Sequence, residues 1–152
     1  MVSEIEAVLR HAIGQTFLSE WLLVDQQMID DFATVTGDRQ FIHVDPVAAA
    51  ATPFGTTIAH GLLLTALLPQ LRAQAPAKLP PGIAMGINYG FDRIRFVSPV
   101  PSGSRIRGRF TPVEVVAKRP GEFLQTDDFA IEREGSDRPA VLGRLLALFV
   151  GG

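Results

Sequence analysis

The chain has 152 residues, of which 47% are hydrophobic and 20% charged, a composition typical of one domain with its own core. Lys and Arg number 14 against 16 Asp and Glu, and this formal net charge of -2 disfavours nucleic acid or an anionic membrane as a partner. The absence of cysteine excludes disulfides, thiolate metal ligands and a cysteine nucleophile, and leaves three histidines.

The N-terminal part of the chain predicts one helix and one strand. Residues 4–13 are predicted to form a short amphipathic helix that ends at Gly14. Its apolar face consists of Ile5, Val8, Leu9 and Ala12. This segment lacks the basic start, apolar core and small-residue cleavage site of a secretory leader, which indicates a cytoplasmic location. Residues 17–24 are then predicted to form a strand.

The next part of the chain predicts two helices separated by an irregular segment. The first is expected between Asp25, a suitable N-cap, and Gly37, a residue type that commonly ends helices. Residues 38–45 follow and are predicted to be non-helical. Asp45 as N-cap and Pro46 in the first turn then start a short Ala-rich helix.

Residues 59–68 are apolar on nearly every face, which predicts a helix enclosed by other structure. Pro69 is expected to kink or end this helix. The surrounding apolar stretch, residues 58–71, is interrupted by His60 and falls short of the roughly 20 residues that a membrane span needs.

After a proline-rich linker the pattern predicts four or five antiparallel strands. They are residues 83–89, 93–97, 105–110, 121–131 and 140–150. Arginines 105, 107 and 109 alternate with apolar residues, so one face of the sheet is expected in water and the other buried. The order of elements predicts a single α+β domain over residues 1–152, whose antiparallel sheet wraps around the central apolar helix, although other α+β folds share this order.

Asp38 and His43 are the candidate catalytic residues. They lie five residues apart in the segment between two predicted helices, from which a carboxylate and an imidazole can be aimed at one water molecule. Gln40 lies between them as a neutral orienting group. The alternative is structural, with Asp38 and Gln40 in turn hydrogen bonds and His43 in a satisfied polar niche.

The stretches FATVTGDRQFIHVDPVAAA and FGTTIAHGLL resemble the signature of MaoC-like and (R)-specific enoyl-CoA hydratases. The matching residues are Phe32, Ala33, Thr36, Gly37, Asp38, Ile42, His43 and Asp45. The later stretch INYGFDRIRFVSPVPSGS also resembles a strand of that family. The resemblance implies a single hotdog domain, a fold whose members pair their sheets, and hence a homodimer.

Three positions depart from the family pattern. Gln40 replaces the family's Asn, Phe41 replaces its Pro, and Ala66 stands where members often have a small hydroxyl residue, with Thr65 beside it. The Gln variant resembles the subgroup that contains nodulation protein N and actinobacterial 3-hydroxyacyl-thioester dehydratases. These departures bear on substrate range and rate.

The activity that the resemblance implies is reversible hydration of a trans-2-enoyl thioester to a (3R)-hydroxyacyl thioester, without metal or cofactor. Asp38 and His43 would bind the water; one takes a proton as oxygen attacks C3, and the other delivers a proton to C2. The Gly61 backbone N–H is the candidate donor to the thioester oxygen, because a residue without a side chain lets substrate approach.

Other polar residues receive weaker or structural roles. His60 is expected to be structural or to cap a helix, Asp45 to cap a helix, and His11 to have no function. Basic residues at the sheet rim could bind the phosphates of coenzyme A. The alternative for each of them is that it only lies on a solvent-exposed strand face. These residues are Arg93, Arg95, Lys118 and Arg119. The thioester could be carried by coenzyme A or by an acyl carrier protein.

Two other functions remain open. A hotdog thioesterase would need a carboxylate that activates water against the carbonyl, which the Asp-x-Gln-x-x-His segment does not provide. The second is a non-catalytic acyl-thioester binding or partner subunit, in which Gln40 and Ala66 would indicate a site that has lost its activity. The presence of both Asp38 and His43 in their flanking context favours the enzyme.

Overall fold

A computed structural model describes residues 3–76 and 79–152. The helices are α1 (Glu4–His11), α2 (Gln26–Thr36), α3 (Phe41–Val44), α4 (Pro46–Ala50), α5 (Gly61–Ala66) and α6 (Leu68–Gln74). The strands are β1 (Phe17–Leu18), β2 (Leu22–Val24), β3 (Ile83–Phe96), β4 (Ser104–Arg119), β5 (Glu122–Arg133) and β6 (Pro139–Gly151). None of the helices in the described part of the chain is long and apolar enough to cross a membrane.

The predicted caps of the helices around the candidate residues are confirmed. The Asp25 side chain accepts a hydrogen bond from the Met28 N–H, and α2 ends at Gly37, whose φ of 80° is left-handed. Asp45 accepts from the N–H groups of Val47 and Ala48 at the start of α4. These caps fix both ends of the segment that carries Asp38 and His43.

Two local predictions are wrong. The predicted strand over residues 17–24 is broken into β1 and β2, because Ser19 bonds to Gly108 of β4 through both its N–H and its hydroxyl. The predicted non-helical segment contains one helical turn, α3, closed by a hydrogen bond from the Asp45 N–H to the Phe41 carbonyl. A single turn is too short to produce a recognisable apolar repeat.

The apolar helix is interrupted at Leu67 near Pro69, as predicted, but it resumes as α6 and continues to Gln74. Proline is tolerated in the first turn of a helix, so it interrupts this helix without ending it. Within one chain the helix is also less enclosed than predicted, because Leu62 is 62% exposed.

The sheet is antiparallel, with strand order β1-β4-β5-β6-β3 and β2 also paired to β4. The predicted strands over residues 83–89 and 93–97 are one strand, β3, which continues through register shifts near Gly90 and Arg93. Arg93 has a left-handed φ of 59°, so the strand is locally distorted there but remains paired to β6.

The concave face of the sheet packs on the apolar helix. Leu68 and Leu71 are fully buried among residues of β4, β5 and β6. Gly108 permits this close approach, since a Cβ there would lie 3.2 Å from the Leu71 Cβ. On the opposite face, Arg107 and Arg109 pair with Glu132, so the predicted wet and buried faces are confirmed.

Candidate active site

Three side chains from separate elements meet beside α5. Asp38 lies in the loop after α2, His43 in α3, and His60 immediately before α5. Their oxygen and nitrogen atoms lie within 4.8 Å of one another. The two residues predicted to act together, Asp38 and His43, are therefore adjacent.

The His43 ring is buried, and its Nδ1 lies 2.7 Å from the Ile58 carbonyl oxygen. A carbonyl only accepts hydrogen bonds, so Nδ1 carries the proton and Nε2 keeps a free lone pair when the ring is neutral. Gln26 fixes the backbone of the same residue, because its amide donates to the His43 carbonyl at 2.7 Å and accepts from the Thr57 hydroxyl at 2.6 Å.

Burial lowers the pKa of His43 below the ordinary value of 6.5. The hydrogen bond to Ile58 and the Asp38 carboxylate oppose this shift, and His60 reinforces it. The ring is therefore neutral at neutral pH, with Nε2 available to accept a proton.

Asp38 is held through its backbone while its carboxylate stays exposed. Its N–H donates to the Thr36 hydroxyl at 3.3 Å, and its carbonyl accepts from Nε2 of His60 at 2.9 Å. The Gln40 N–H lies 3.5 Å from the carboxylate. These contacts orient the carboxylate and leave most of its hydrogen-bonding capacity for a ligand.

His60 links the two candidate residues. Its ring is almost completely buried, stacks on His43 at 3.8 Å between centroids, and meets the edge of Phe32 at 4.9 Å. It occupies the N-cap position of α5, but its side chain makes no capping hydrogen bond and instead binds the Asp38 carbonyl. The structural role of His60 is therefore to contact both candidate residues, Asp38 and His43.

Gly61 and His43 line the same cavity of about 250 Å³, which also contains Phe96. A Cβ at Gly61 would lie 2.7 Å from the Phe96 ring, so a side chain at this position would force that ring to move. Gly61 is the first residue of α5, and its N–H has no acceptor within the helix.

The comparisons with known proteins identify the family. A family model described as a MaoC-like domain matches residues 8–132. The chain belongs to the MaoC-like domain family. The resemblance inferred from the sequence motifs is confirmed.

Relatives of this MaoC-like chain include two that match along almost its whole length. The 3-hydroxyacyl-thioester dehydratase Z of Mycobacterium tuberculosis is 41% identical over 149 residues, 98% of this chain and 95% of that protein. Nodulation protein N of Rhizobium meliloti is 40% identical over 148 residues, 97% of this chain and 89% of that protein.

Among solved structures, the (R)-hydratase from A. caviae involved in PHA biosynthesis matches with a TM-score of 0.73 and 26% identity. The match covers 89% of this chain and 94% of that one. The predicted hotdog fold is confirmed, and the comparisons support the predicted hydratase or dehydratase class.

The other predicted site residues of the MaoC-like domain do not line this cavity. Gln40 is exposed at the N-cap of α3, and its side chain makes no capping hydrogen bond. Arg93 and Arg95 are exposed on β3, and neither lines the cavity beside His43. Lys118 and Arg119 are exposed at the end of β4.

The three clustered side chains could be considered as metal ligands, but their geometry is poor for one ion. Nδ1 of His43 and Nε2 of His60 are both taken by backbone carbonyls. The two rings are stacked with only 23° between their planes, so their remaining lone pairs do not converge. The site is better suited to holding a water molecule.

Sequence reasoning missed the residues that position the pair. The positioning contacts are tertiary hydrogen bonds, which no local pattern reveals. They join His43 to Ile58 and to Gln26, and His60 to Asp38. The His-Gly pair before the apolar helix was the available signal for His60.

Proposed function

We propose that this MaoC-like protein catalyses the reversible hydration of trans-2-enoyl thioesters to (3R)-3-hydroxyacyl thioesters. The observation that carries the proposal is the free Nε2 of buried His43 beside the Asp38 carboxylate. The names of the M. tuberculosis dehydratase and the A. caviae (R)-hydratase support the same reaction type.

The proposed reaction begins with water held between Asp38 and His43. Nε2 of His43 takes one proton of the water as its oxygen bonds to C3 of the enoyl thioester, and the electrons of the C2–C3 double bond move towards the thioester carbonyl. The proton then passes to C2 on the same face by way of the Asp38 carboxyl. One water molecule is added, and both residues return to their starting states.

Gly61 is the proposed donor to the oxygen that becomes negative as the enolate forms. Its N–H is unpaired within the helix and belongs to the cavity that contains His43. Gln40, exposed beside Asp38, is the proposed orienting residue for water or substrate.

The stereochemistry of the product tests this function. Purified protein is given crotonyl-CoA, and the 3-hydroxybutyryl-CoA formed is assayed with dehydrogenases specific for the R or the S product. We expect only the R product. Formation of the S product would show that water is delivered to the opposite face and would contradict the proposed (3R) specificity.

The pH dependence of activity follows from the lowered pKa of His43. Protonation of Nε2 removes the base, so kcat/KM is lost as pH falls through the pKa of the folded protein. We expect the acid limb of kcat/KM for crotonyl-CoA to have its midpoint below pH 6.5, the ordinary value for histidine. A midpoint above that value would contradict the neutral, buried imidazole.

We also propose that the carrier's phosphates bind near Arg93 and Arg95. Both are exposed on β3, and the same strand ends at Phe96, which lines the catalytic cavity. Guanidinium groups are suited to phosphate oxygens. A cytoplasmic location, where such thioesters would be met, is part of this proposal, and cell fractionation tests it.

A homodimer is proposed from the edge of the sheet. Among the described residues, β3 pairs with β6 alone, and it exposes large apolar side chains. They are Met85, Ile87, Tyr89, Phe91 and Phe96. An unprotected apolar edge strand favours pairing with another chain, and Leu62 of α5 is exposed as well.

Charge at this edge should therefore disrupt the dimer. We expect Ile87→Lys with Phe91→Lys to convert a dimer into a monomer in light scattering, because lysines opposed across the edge repel and lose apolar burial. Val35→Lys is the control, since Val35 is 84% exposed on α2, away from the edge. A double variant that stays dimeric would place the interface elsewhere.

A further inference from the structure

Three cavities, or hollows, lie between the helices α5 and α6 and the side of the sheet formed by β3 and β6. Beside His43, Gly61 and Leu64 face Phe96 and Ala140. The next hollow lies between Thr65 and Pro69 on the helix and Phe91 and Leu145 on the sheet.

A third hollow, of about 690 Å³, continues past Pro69 between residues 72–74 and Ile87, Ala147 and Phe149. Pro69, Asn88 and Leu145 line both the second and the third hollow. The second and third hollows therefore form one groove, and the first hollow, beside His43, precedes this groove along α5.

The third hollow contains a buried ion pair close to Leu145, where it joins the second hollow. Nε of Arg72 lies 3.1 Å from Oδ2 of Asp127, and the Gln125 amide donates to Oδ1 at 2.7 Å. The side chains of Arg72 and Asp127 are only 20% and 5% exposed. A polar cluster of this kind is unusual in an apolar groove.

Arg72 has unused hydrogen-bonding capacity. Among the described residues, only its Nε has an acceptor, although a guanidinium offers five N–H donors. Donors that face a groove without a partner are costly when an apolar ligand displaces their water. Asp127 already neutralises the charge of Arg72, so a buried carboxylate on the ligand would add an uncompensated negative charge.

We propose that this part of the groove recognises an uncharged oxygen group, a hydroxyl or keto group, on the distal part of the substrate's acyl chain. The inference rests on the proposed function, in which the thioester lies at Gly61. Gly61 and Arg72 are 11 residues apart on the successive helices α5 and α6, so at a helical rise of about 1.5 Å per residue they are separated by at most about 16 Å along the helix axes. A medium-length acyl chain can span this distance.

Binding and turnover of matched ligands test the inference separately. Calorimetry compares dodecanoyl-CoA with its 12-hydroxy derivative, and kinetics compares trans-2-dodecenoyl-CoA with its 12-hydroxy derivative. We expect the wild type to prefer the hydroxylated ligand by about tenfold in both Kd and kcat/KM. The ligand hydroxyl accepts a hydrogen bond from the charged Arg72 guanidinium, whereas the unsubstituted chain leaves that donor desolvated and unpaired.

The double variant Arg72→Met/Asp127→Leu removes the buried pair without leaving a lone charge. We expect it to lose or invert the preference. The matched control is Arg144→Met/Asp128→Leu, which removes the neighbouring pair on the exposed side of β5 and β6 and should keep the preference. Circular dichroism and the unfolding midpoint confirm that both variants fold.

The inference would be overturned if the wild type and Arg72→Met/Asp127→Leu preferred the 12-hydroxy ligand over the unsubstituted ligand to the same extent. So would tighter binding of the corresponding dicarboxylic thioester, which would indicate an anion site. If binding shows the preference but no ligand is hydrated, the groove is supported and the proposed catalytic function fails.

Discussion

Asp38→Asn and His43→Ala are each expected to lower kcat/KM for crotonyl-CoA by about 10²- to 10⁴-fold, the range contributed by general acid and base catalysis. Asparagine keeps the size of Asp38 but cannot pass a proton to C2. Alanine removes the Nε2 lone pair of His43 and its hydrogen bond to Ile58. Initial rates follow the disappearance of the enoyl-thioester absorbance.

The controls change the same residue types away from the cavity. Asp31→Asn alters an exposed carboxylate on α2, and His11→Ala alters an exposed imidazole on α1. Both should retain the wild-type rate. Wild-type rates in folded Asp38→Asn or His43→Ala protein would remove the pair from the mechanism, and the unfolding midpoint shows whether each variant is folded.

Gly61→Ala is expected to lower kcat/KM for crotonyl-CoA by about 10²- to 10³-fold, the cost of losing one oxyanion donor. The added Cβ would lie 2.7 Å from the Phe96 ring, so it would displace this ring within the cavity in which the thioester oxygen is proposed to meet the Gly61 N–H. Phe96 is 54% exposed, so its ring can move and the variant is expected to fold. The measurement is steady-state kinetics together with thermal unfolding.

Gly86→Ala is the matched control for this substitution. A Cβ at Gly86 would meet Phe149 at 3.4 Å, an ordinary contact, and the position lies outside the cavity beside His43. Its rate with the short crotonyl chain should match that of the wild type. If Gly61→Ala were as active as Gly86→Ala, the oxyanion donor would have to be another group.

Local sequence patterns predicted the parts of the fold that depend on local interactions. Asp25, Gly37 and Asp45 mark helix ends because side-chain caps and left-handed glycine act within one turn of the chain. The arginines of β4 marked the wet face of the sheet because strand side chains alternate. The motif with Asp38 and His43 came from the family resemblance, since spacing alone also fits a structural turn.

The contacts that complete the site were not predictable, because they join residues distant in sequence. The Ile58 carbonyl sets which nitrogen of His43 is free, and His60 holds the Asp38 backbone. The exposed side of the apolar helix at Leu62 also could not be read from its composition, which predicts burial on every face.

The most direct test of the account is the reaction of the wild-type protein with crotonyl-CoA, followed at the enoyl-thioester absorbance band alongside an assay for free thiol. We predict that the band disappears and that no thiol is released, because water adds to C3 and the thioester bond stays intact. Release of thiol would instead identify a thioesterase. An unchanged band, with longer enoyl chains also unreactive, would contradict catalysis by Asp38 and His43 and indicate an acyl-thioester binding subunit.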